Sequence, residues 1–526
     1  MKKISMFNAQ QNAKLKPLSS TLIIMLGATL LSGCTLLDYL KPIQRIENEI
    51  KAANPPNQWV APLPHQGSVK ELNQFWAQYQ DPLLLTLINA AEKESVDLAS
   101  AKTRIMQARA ARVSANAALL PTLDGNFSAS RAVQQPPIKY KNSQLNPILS
   151  QSQNAGAVNT AQVGLQAAWE LDLFGKNTAA LDASKANLLG AESGWHEARV
   201  SLAAEVATSY FDYRFCTQQL KISQADAASR HETSRVTDIS VKAGFTDEGT
   251  GNLARASDAS AQQQVLLQQA TCDLTMKELV ALTNLAEPYL QQQMQLSAAP
   301  VVRQALGKNK LDAKPPVDLF SITEIPAKVI AQRPDVYIAE QEVVAAAADL
   351  QNNKLQRLPK ISLNGSIGLM RLSSSTYTAN GEVWSLGPIS ITLPIFDGGI
   401  RKANVETSEV KLDETFANYR NKVRTAVKEV ERALVTLDST AKRTEKAQIA
   451  ADSYKAAFTS TEVKYKSGFA NIIELEETRR SSLQADTNLI NLAKERNNAC
   501  ISLYRAAGGG WSKAELNTSA ILKTAN

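Results

Sequence analysis

Four runs of the chain alternate apolar and polar residues. In the first run, Leu123 and Phe127 lie on the apolar side, and Asp124 and Asn126 lie on the polar side. The runs cover 122–131, 162–172, 361–369 and 384–395. A period of two is typical of β-strands that have one apolar face and one polar face. We therefore predict two β-hairpins, at 119–173 and 358–396, with polar loops at 132–158 and roughly 373–383.

A long stretch with helical periodicity follows each hairpin. Residues 177–243 contain no proline, and residues 400–467 contain neither proline nor glycine. At 1.5 Å per residue such a helix spans roughly 100 Å, and a helix that long needs a coiled-coil-like neighbour. Gly244 and Gly468 are predicted to end the two helices. Return helices are predicted at about 252–284 and 471–506.

The chain is an internal duplication. Residues 120–123 return at 358–361, an offset of 238 (358 − 120), whereas 242–245 return at 466–469, an offset of 224 (466 − 242). Constant offsets indicate a repeated architecture, and the change between them places the extra length in the loop of the first hairpin. The predicted organisation is an extended N-terminal segment at 34–82, a first repeat at 83–300, a linker at 301–330, a second repeat at 331–507 and a C-terminal tail at 508–526.

Residues 1–33 are predicted to be a signal peptide. They contain four lysines, no acid and an apolar stretch at 18–31 that is too short to span a membrane. The stretch ends in Leu31-Ser32-Gly33-Cys34, which resembles a bacterial lipoprotein signal. An ordinary secretory signal with a chance cysteine is the alternative, but the position directly after the apolar run favours a lipid on Cys34. Thr35, in place of an aspartate, favours the outer membrane.

Charge and composition argue against several functions. The formal net charge of +7 falls to +3 (7 − 4) without the signal lysines, and no basic patch indicates nucleic acid. Cys216, Cys272 and Cys500 form no CxxC pattern, and the three histidines are scattered, so neither a metal site nor Cys/His catalysis is predicted. We expect these cysteines to be buried thiols rather than a disulfide. The only non-protein group predicted is the lipid on Cys34.

The strands suit a membrane barrel shared between chains. Each has about ten residues and one apolar face, the size of a tilted membrane-spanning strand. Four strands cannot close a barrel, and open strand edges in lipid leave backbone groups unpaired. Either the hairpins form a soluble sheet, or three chains contribute twelve strands around a polar lumen.

Several motifs together resemble one family, the TolC-like outer-membrane factors of tripartite efflux pumps, in the lipidated branch. The motifs are the lipobox, the repeated Leu-Pro, Arg333-Pro334-Asp335, 396–399, 465–468 and 508–511. The resemblance implies a mainly α fold with membrane β-hairpins, which forms a homotrimer with a twelve-stranded barrel above a periplasmic helical tunnel. It implies a passive duct for small molecules, not an enzyme. The implied partners are outer-membrane lipid, a periplasmic adaptor and an inner-membrane transporter of the resistance–nodulation–division type.

The resemblance also implies a gate where the long helices turn. Its acidic ring matches Glu474 and Glu477, which lie three residues apart and share a helix face. Six carboxylates around one axis repel each other and attract cations. The alternative is a solvated face in which Glu474, Glu476 and Glu477 pair with Arg479 and Arg480.

Tyr465 matches a position that holds the closed bundle by a hydrogen bond, and plain packing between helices is its alternative. The basic partner that the family carries two residues after the glycine is Ala470 here, so Arg255 and Arg479 are the candidates to replace it.

Two tryptophans, Trp169 and Trp384, are expected at strand ends, either in an interfacial aromatic belt or packed at the junction of barrel and tunnel.

Two other functions compete with the duct. One is an outer-membrane lipoprotein scaffold or adaptor without a channel, and the other is an exported enzyme, which the missing nucleophile and glycine-rich motifs disfavour.

Overall fold

The computed structural model describes residues 53, 55–56, 58–60, 75–79, 81–133, 157–296, 326–374 and 377–513. The predicted signal peptide, Cys34, most of the extended segment and the linker, and the tail beyond residue 513 lie outside this part. Among the described helices, none has a stretch apolar and long enough to cross a membrane.

Helices dominate the chain, and four strands interrupt them. The short helices are α1 (Phe75–Gln78), α2 (Pro82–Glu94), α3 (Val96–Ala117), α6 (Glu287–Leu296), α7 (Pro326–Ala331) and α8 (Pro334–Leu355). The long helices are α4 (Lys176–Lys242), α5 (Glu248–Thr283), α9 (Ile400–Lys466) and α10 (Ile472–Ala506). The strands are β1 (Thr122–Ala132), β2 (Val158–Leu171), β3 (Lys360–Ser373) and β4 (Thr378–Thr392).

The duplication predicted from the sequence recurs in the helix boundaries. Helices α3 and α8 both have 22 residues, and their starts keep the offset of 238 (334 − 96). Helices α4 and α9 both have 67 residues, and their starts keep the offset of 224 (400 − 176). The two repeats therefore build the same unit of helix, hairpin, long helix and return helix.

The four strands form one antiparallel sheet in the order β1-β2-β3-β4. Val163 of β2 lies between Phe127 of β1 and Leu369 of β3. The two repeats meet at the pairing of β2 with β3, where Gly164 lies opposite Gly368. A Cβ on either glycine would lie within 2.6 Å of a backbone oxygen of the other strand, so this close approach needs glycine. The outer edges of β1 and β4 have no partner strand within the described chain.

The second hairpin differs from the prediction at its loop. Strand β4 begins at Thr378, so only 374–377 separate β3 from β4, and the expected loop to residue 383 is wrong. Trp384 consequently lies inside β4, opposite Ile367, and not at a strand end. Trp169 does lie near the end of β2, and its indole Nε1 donates to the Leu119 carbonyl at 3.0 Å. This contact favours packing at the junction of sheet and helices for Trp169.

The helical part has two main apolar clusters. The larger joins α1 and α2 to all four long helices, and Phe75, Tyr210, Phe211 and Tyr504 are among its buried aromatic residues. The second joins α8 to the first half of α9. Helix α4 packs on α5 along their length, α9 packs on α10 in the same way, and α4 also packs on α10. The two helical hairpins therefore lie side by side through α4 and α10.

The end of α10 is fixed by three glycines. Gly508, Gly509 and Gly510 all have positive φ, at +83°, +63° and +85°. The following Trp511 is 3% exposed and packs near Tyr337 and His196. The sequence places these residues in the C-terminal tail, but the structure packs them against α4 and the start of α8.

The expectation of three buried thiols is wrong for two of the cysteines. Cys216 on α4 and Cys272 on α5 form a disulfide with a Cα–Cα distance of 5.5 Å, and Cys500 is free. The bond forms because an antiparallel hairpin pairs residues at equal distances from its turn. Cys216 precedes Gly244 by as many positions as Cys272 follows it. Burial raises the pKa of the Cys500 thiol to about 11, which keeps it unreactive.

Replacing both Cys216 and Cys272 with serine is expected to lower the free energy of unfolding by up to about 4 kcal/mol. The bond joins cysteines with a sequence separation of 56 and so restricts the unfolded chain. The check is the thermal unfolding midpoint in detergent, with and without a reductant, after thiol counting has verified reduction. The reductant should lower the midpoint of the natural protein and of Cys500→Ser, but not that of the double variant. Equal midpoints throughout would contradict the prediction.

Candidate gate at the tips of the helical hairpins

Each helical hairpin turns through the same local structure. After α4, the Phe245 amide donates to the Ser240 carbonyl and the Gly244 amide to the Val241 carbonyl, and Gly244 has φ +79°. After α9, the amides of Phe469 and Gly468 donate to the carbonyls of Lys464 and Tyr465. This pair of bonds is the Schellman motif, which requires a left-handed residue and so favours glycine. Both long helices therefore end at a glycine with positive φ.

The return helices begin with matching caps. The Asp247 side chain accepts from the Thr250 amide at the start of α5, and the Asn471 side chain accepts from the Glu474 amide at the start of α10. Asp247 and Asn471 are related by the same offset of 224 (471 − 247). Hydrogen bonds from Thr250 lower the pKa of the Asp247 carboxyl. The turns and caps together hold the first turn of α10 in a fixed orientation.

Glu474 lies in this first turn and Glu477 in the next, and both are exposed. They are one helical turn apart, so their carboxylates share a face. Neither has an ion-pair partner among the residues that the structure describes, and Arg480, also exposed, does not neutralise them. The pairing of these two glutamates with Arg479 and Arg480, which was the alternative interpretation, is therefore absent from the described part of the chain.

Glu476 differs from its neighbours because it is buried and neutralised by two arginines. It forms an ion pair with Arg479 of its own helix and with Arg230 of α4 at 3.2 Å. It also accepts a hydrogen bond from Ser257 of α5 at 3.1 Å. Asp226 holds Arg230 on its other side at 2.9 Å. We call these five residues the Glu476 cluster.

The Glu476 cluster connects all four long helices. Arg479 donates to the Thr233 hydroxyl on α4 at 3.2 Å, and its guanidinium lies 5.5 Å from the ring of Phe458 on α9. A buried ion pair positions helices more than it stabilises them, because most of its attraction offsets desolvation. The cluster thus fixes α10, which carries Glu474 and Glu477, against the first repeat.

Tyr465 and the two candidate arginines have different roles. Tyr465 is half-buried, and its hydroxyl has no hydrogen bond within the described residues, so the structure favours packing. No hydrogen bond joins Arg479 to Tyr465 within the described residues, but Arg479 does connect the two hairpins, through Thr233 of α4. Arg255 does not, because it contacts Asp238 and Asn252 of its own hairpin.

Two residues of the tips went unnoticed in the sequence. Phe245 and Phe469 directly follow the turn glycines and are 86% and 85% exposed. Their signal was available, because large aromatic residues at equivalent positions of both repeats are unusual in solvent-exposed turns. Glu476 gave no such signal, since its burial depends on Arg230, which belongs to the other repeat and is distant in the sequence. Among the described residues, no group of three His, Cys, Asp or Glu side chains could hold a metal ion.

The sheet of four strands has two open edges, and each of the two helical hairpins joins a 67-residue helix to a return helix of 36 or 35 residues. This is the architecture expected of an outer-membrane channel subunit. A family model described as outer membrane efflux protein matches residues 87–285 and 325–509. The chain belongs to this family.

Individual relatives agree along most of the chain. The toluene efflux pump outer membrane protein TtgI of Pseudomonas putida is 27% identical over 507 residues, which cover 95% of this chain and 100% of that protein. Outer membrane protein OprJ of Pseudomonas aeruginosa is 30% identical over 370 residues, 69% of this chain and 73% of that one. The crystal structure of the Campylobacter jejuni CmeC outer membrane channel has the same fold, with a TM-score of 0.71 at 23% identity, covering 88% of this chain and 97% of that one.

The family prediction is therefore confirmed. The protein is the outer-membrane channel component of a tripartite efflux system, it extends into the periplasm, and it is not an enzyme. Membership also implies, in general terms, a trimer that works with an adaptor and an inner-membrane partner.

Proposed function

We propose that three copies form a passive duct for small molecules whose periplasmic end is narrowed by a ring of Glu474 and Glu477. One observation carries the proposal. Both carboxylates are exposed and lack a counter-ion among the described residues, whereas the adjacent Glu476 is neutralised by Arg230 and Arg479. The same turn thus separates a structural glutamate from two glutamates that are free to face a pore.

The ring would act by charge. Six carboxylates near one axis make the entrance negative, so cations enter more readily than anions. The equivalent positions of the first repeat are Thr250 and Leu253, so only three of the six hairpins would carry the acidic pair. The Glu476 cluster supports this arrangement, because it holds α10 at a fixed distance from α4.

The proposal is tested by single-channel recording in planar bilayers. Glu474→Gln with Glu477→Gln removes the charge and keeps the size, and we expect it to reduce the cation preference measured from the reversal potential in a salt gradient. Replacing both residues with alanine should in addition raise the conductance, because the side chains are shortened. Glu248→Gln is the matched control, since Glu248 is an exposed glutamate in the first turn of α5. An unchanged reversal potential in the double glutamine variant would contradict the acidic gate.

We further propose that the tips bind the periplasmic adaptor. Phe245 and Phe469 support this, because exposed apolar side chains at a rim that faces the periplasm gain free energy when a partner covers them. The inner-membrane transporter is proposed to be of the resistance–nodulation–division type, and Cys34 is proposed to carry the lipid. These two assignments rest on the lipobox and the repeated motifs of the sequence.

A further inference from the structure

A groove between α3, α4 and α8 has an excess of negative charge. Its volume is about 570 Å³, and four acids line it, namely Asp97, Glu197, Glu205 and Glu342. Among the described residues that line it, Arg104 is the only base, so the formal charge of the lining is −3 (1 − 4). Neither Arg104 nor any of the four acids forms an ion pair within the part of the chain that the structure describes. The charge of the groove is therefore left without a counter-ion by these residues.

The groove also contains a buried amide without a hydrogen-bond partner. Gly190 and Gly194 of α4 leave room where α8 crosses, and they face Gln341 and Ile338. Gln341 is 8% exposed and lines the groove, and its side-chain amide has no hydrogen bond to a described residue. A buried amide costs free energy unless something binds it. Gln341 thus indicates a ligand independently of the acids.

The second repeat has an equivalent pair of acids, and there the pair holds a cation. The offset of 238 relates Asp97 to Asp335, and the offset of 224 relates Glu205 to Glu429. Arg333 binds both acids of the second repeat. It donates to the two carboxylate oxygens of Asp335 at 2.9 and 2.8 Å and pairs with Glu429 at 2.8 Å. Two carboxylates in this arrangement therefore suit a cation with several N–H donors.

The first repeat lacks the cations that the second repeat provides. The same offsets relate Arg333 to Ser95 and Lys422 to Ala198. Lys422 is the second cation of the equivalent site, because its ammonium group lies 3.6 Å from Asp335. Ser95 instead caps α3, and Ala198 lines the groove with a methyl group. The first repeat thus keeps the carboxylates and has open space where the second repeat has basic side chains.

The ionisation of Glu197 agrees with a missing counter-ion. Burial raises the pKa of its carboxyl and Asp335 adds to this, while three basic residues of the second repeat oppose the rise only in part, namely Lys422, Arg505 and Arg333. A cation bound in the groove would favour the charged form of this carboxyl.

We propose that the groove binds an aliphatic polyamine, in which several ammonium groups are joined by methylene chains. One ammonium group lies between Asp97 and Glu205, in the place that Arg333 occupies in the second repeat. Glu197 precedes Glu205 by eight residues of α4, roughly 12 Å along the helix, so the acids suit a ligand with separated charges rather than one metal ion. The methylene groups pack on apolar side chains such as Leu202, and the Gln341 amide oxygen accepts from a further ammonium group. This site does not depend on the proposed gate.

The test is isothermal titration calorimetry of the full-length protein in detergent with spermidine, in a buffer that contains magnesium chloride to occupy nonspecific acidic sites. We expect saturable binding of one spermidine per chain. Asp97→Asn with Glu205→Gln should weaken this binding about tenfold or more, because it removes the charged acceptors of one ammonium group. Asp182→Asn with Glu232→Gln is the matched control, since both are exposed acids of α4 outside the groove. Its affinity should equal that of the natural protein.

A second variant fills the site from within the chain. Ala198→Lys supplies the equivalent of Lys422 and should abolish spermidine binding without loss of thermal stability. Ala99→Lys, at an exposed position of α3 outside the groove, should leave binding unchanged. If the natural protein does not bind spermidine, or if Ala198→Lys binds it as tightly as Ala99→Lys does, the polyamine site is wrong. Neither result affects the acidic gate, which the reversal potential tests separately.

Discussion

Replacing Gly508 with alanine is expected to be among the most damaging single substitutions in the helical part of the protein. A Cβ at this position would lie 2.2 Å from the Gln332 carbonyl oxygen and 3.2 Å from the Arg333 Cα, both of them backbone atoms. The φ of +83° adds the strain of the left-handed region, about 1–2 kcal/mol. Because backbone cannot move aside as a side chain can, we expect a loss of about 3 kcal/mol or more in the free energy of unfolding.

The contacts around Gly508 explain why the substitution would affect several helices. Arg333 donates from Nη1 to the Ala506 carbonyl at 3.0 Å and pairs with Glu429 of α9 at 2.8 Å. Displacement of Gly508 would therefore disturb the contacts between α8, α9 and the end of α10 together.

Gly244→Ala is the control for this prediction. Gly244 has nearly the same φ, +79°, but an added Cβ would meet nothing within 4 Å. It should lose only the conformational part, about 1–2 kcal/mol. Denaturant unfolding of the detergent-solubilised protein compares the two variants. Equal losses at Gly508 and Gly244 would show that the close approach to Gln332 does not matter.

Replacing Glu476 with alanine is expected to cost about 3–5 kcal/mol, because it leaves Arg230 and Arg479 buried without their shared counter-ion. Asp226 still neutralises Arg230, so most of the loss arises at Arg479, whose side chain is 5% exposed. The first turns of α10 should then separate from α4. Hydrogen exchange of residues 472–485 measures this, and it should rise while exchange in α8 stays unchanged.

Glu477→Ala tests whether the loss of stability expected for Glu476→Ala depends on the burial of the glutamate. Glu477 is adjacent in sequence but exposed, so its loss should change the free energy of unfolding by no more than about 0.5 kcal/mol. Glu476→Gln should fall between the two, since its amide can still accept from Ser257. Unchanged exchange at 472–485 in the alanine variant would contradict the role given to the Glu476 cluster.

The architecture was largely predictable from the sequence, because it follows from periodicity and repetition. Helix α9 was expected at 400–467 and is found at Ile400–Lys466, since no proline or glycine interrupts it and Gly468 ends it. The start of β4 differs from the prediction because Thr378, Asn380 and Glu382 are polar, and polar runs predict a loop. A run of polar residues indicates a loop only when the adjoining strand is expected to be apolar on both faces. A strand with one polar face can contain such residues itself.

The contacts that distinguish the three glutamates at the candidate gate were harder to predict. Glu474, Glu476 and Glu477 cannot be distinguished by residue type, and only the side of α10 that faces α4 separates Glu476 from the other two. The disulfide was missed for a different reason. Its symmetry about Gly244 is present in the sequence, but that spacing predicts a bond only when α4 and α5 are paired as an antiparallel hairpin.

The equal length of α4 and α9 restricts how this protein can evolve. Deleting one residue from either helix would shorten it by about 1.5 Å and turn everything beyond the deletion by about 100°. The tip of that repeat would then no longer be level with the other, and its return helix would present the wrong face to its neighbour. The fold thus tolerates a change in helix length only when both repeats change together. The loops between the strands carry no such coupling, since 133–157 and 374–377 already differ greatly in length. Insertions in this lineage should therefore accumulate between the strands, while the helical repeats diverge by substitution alone.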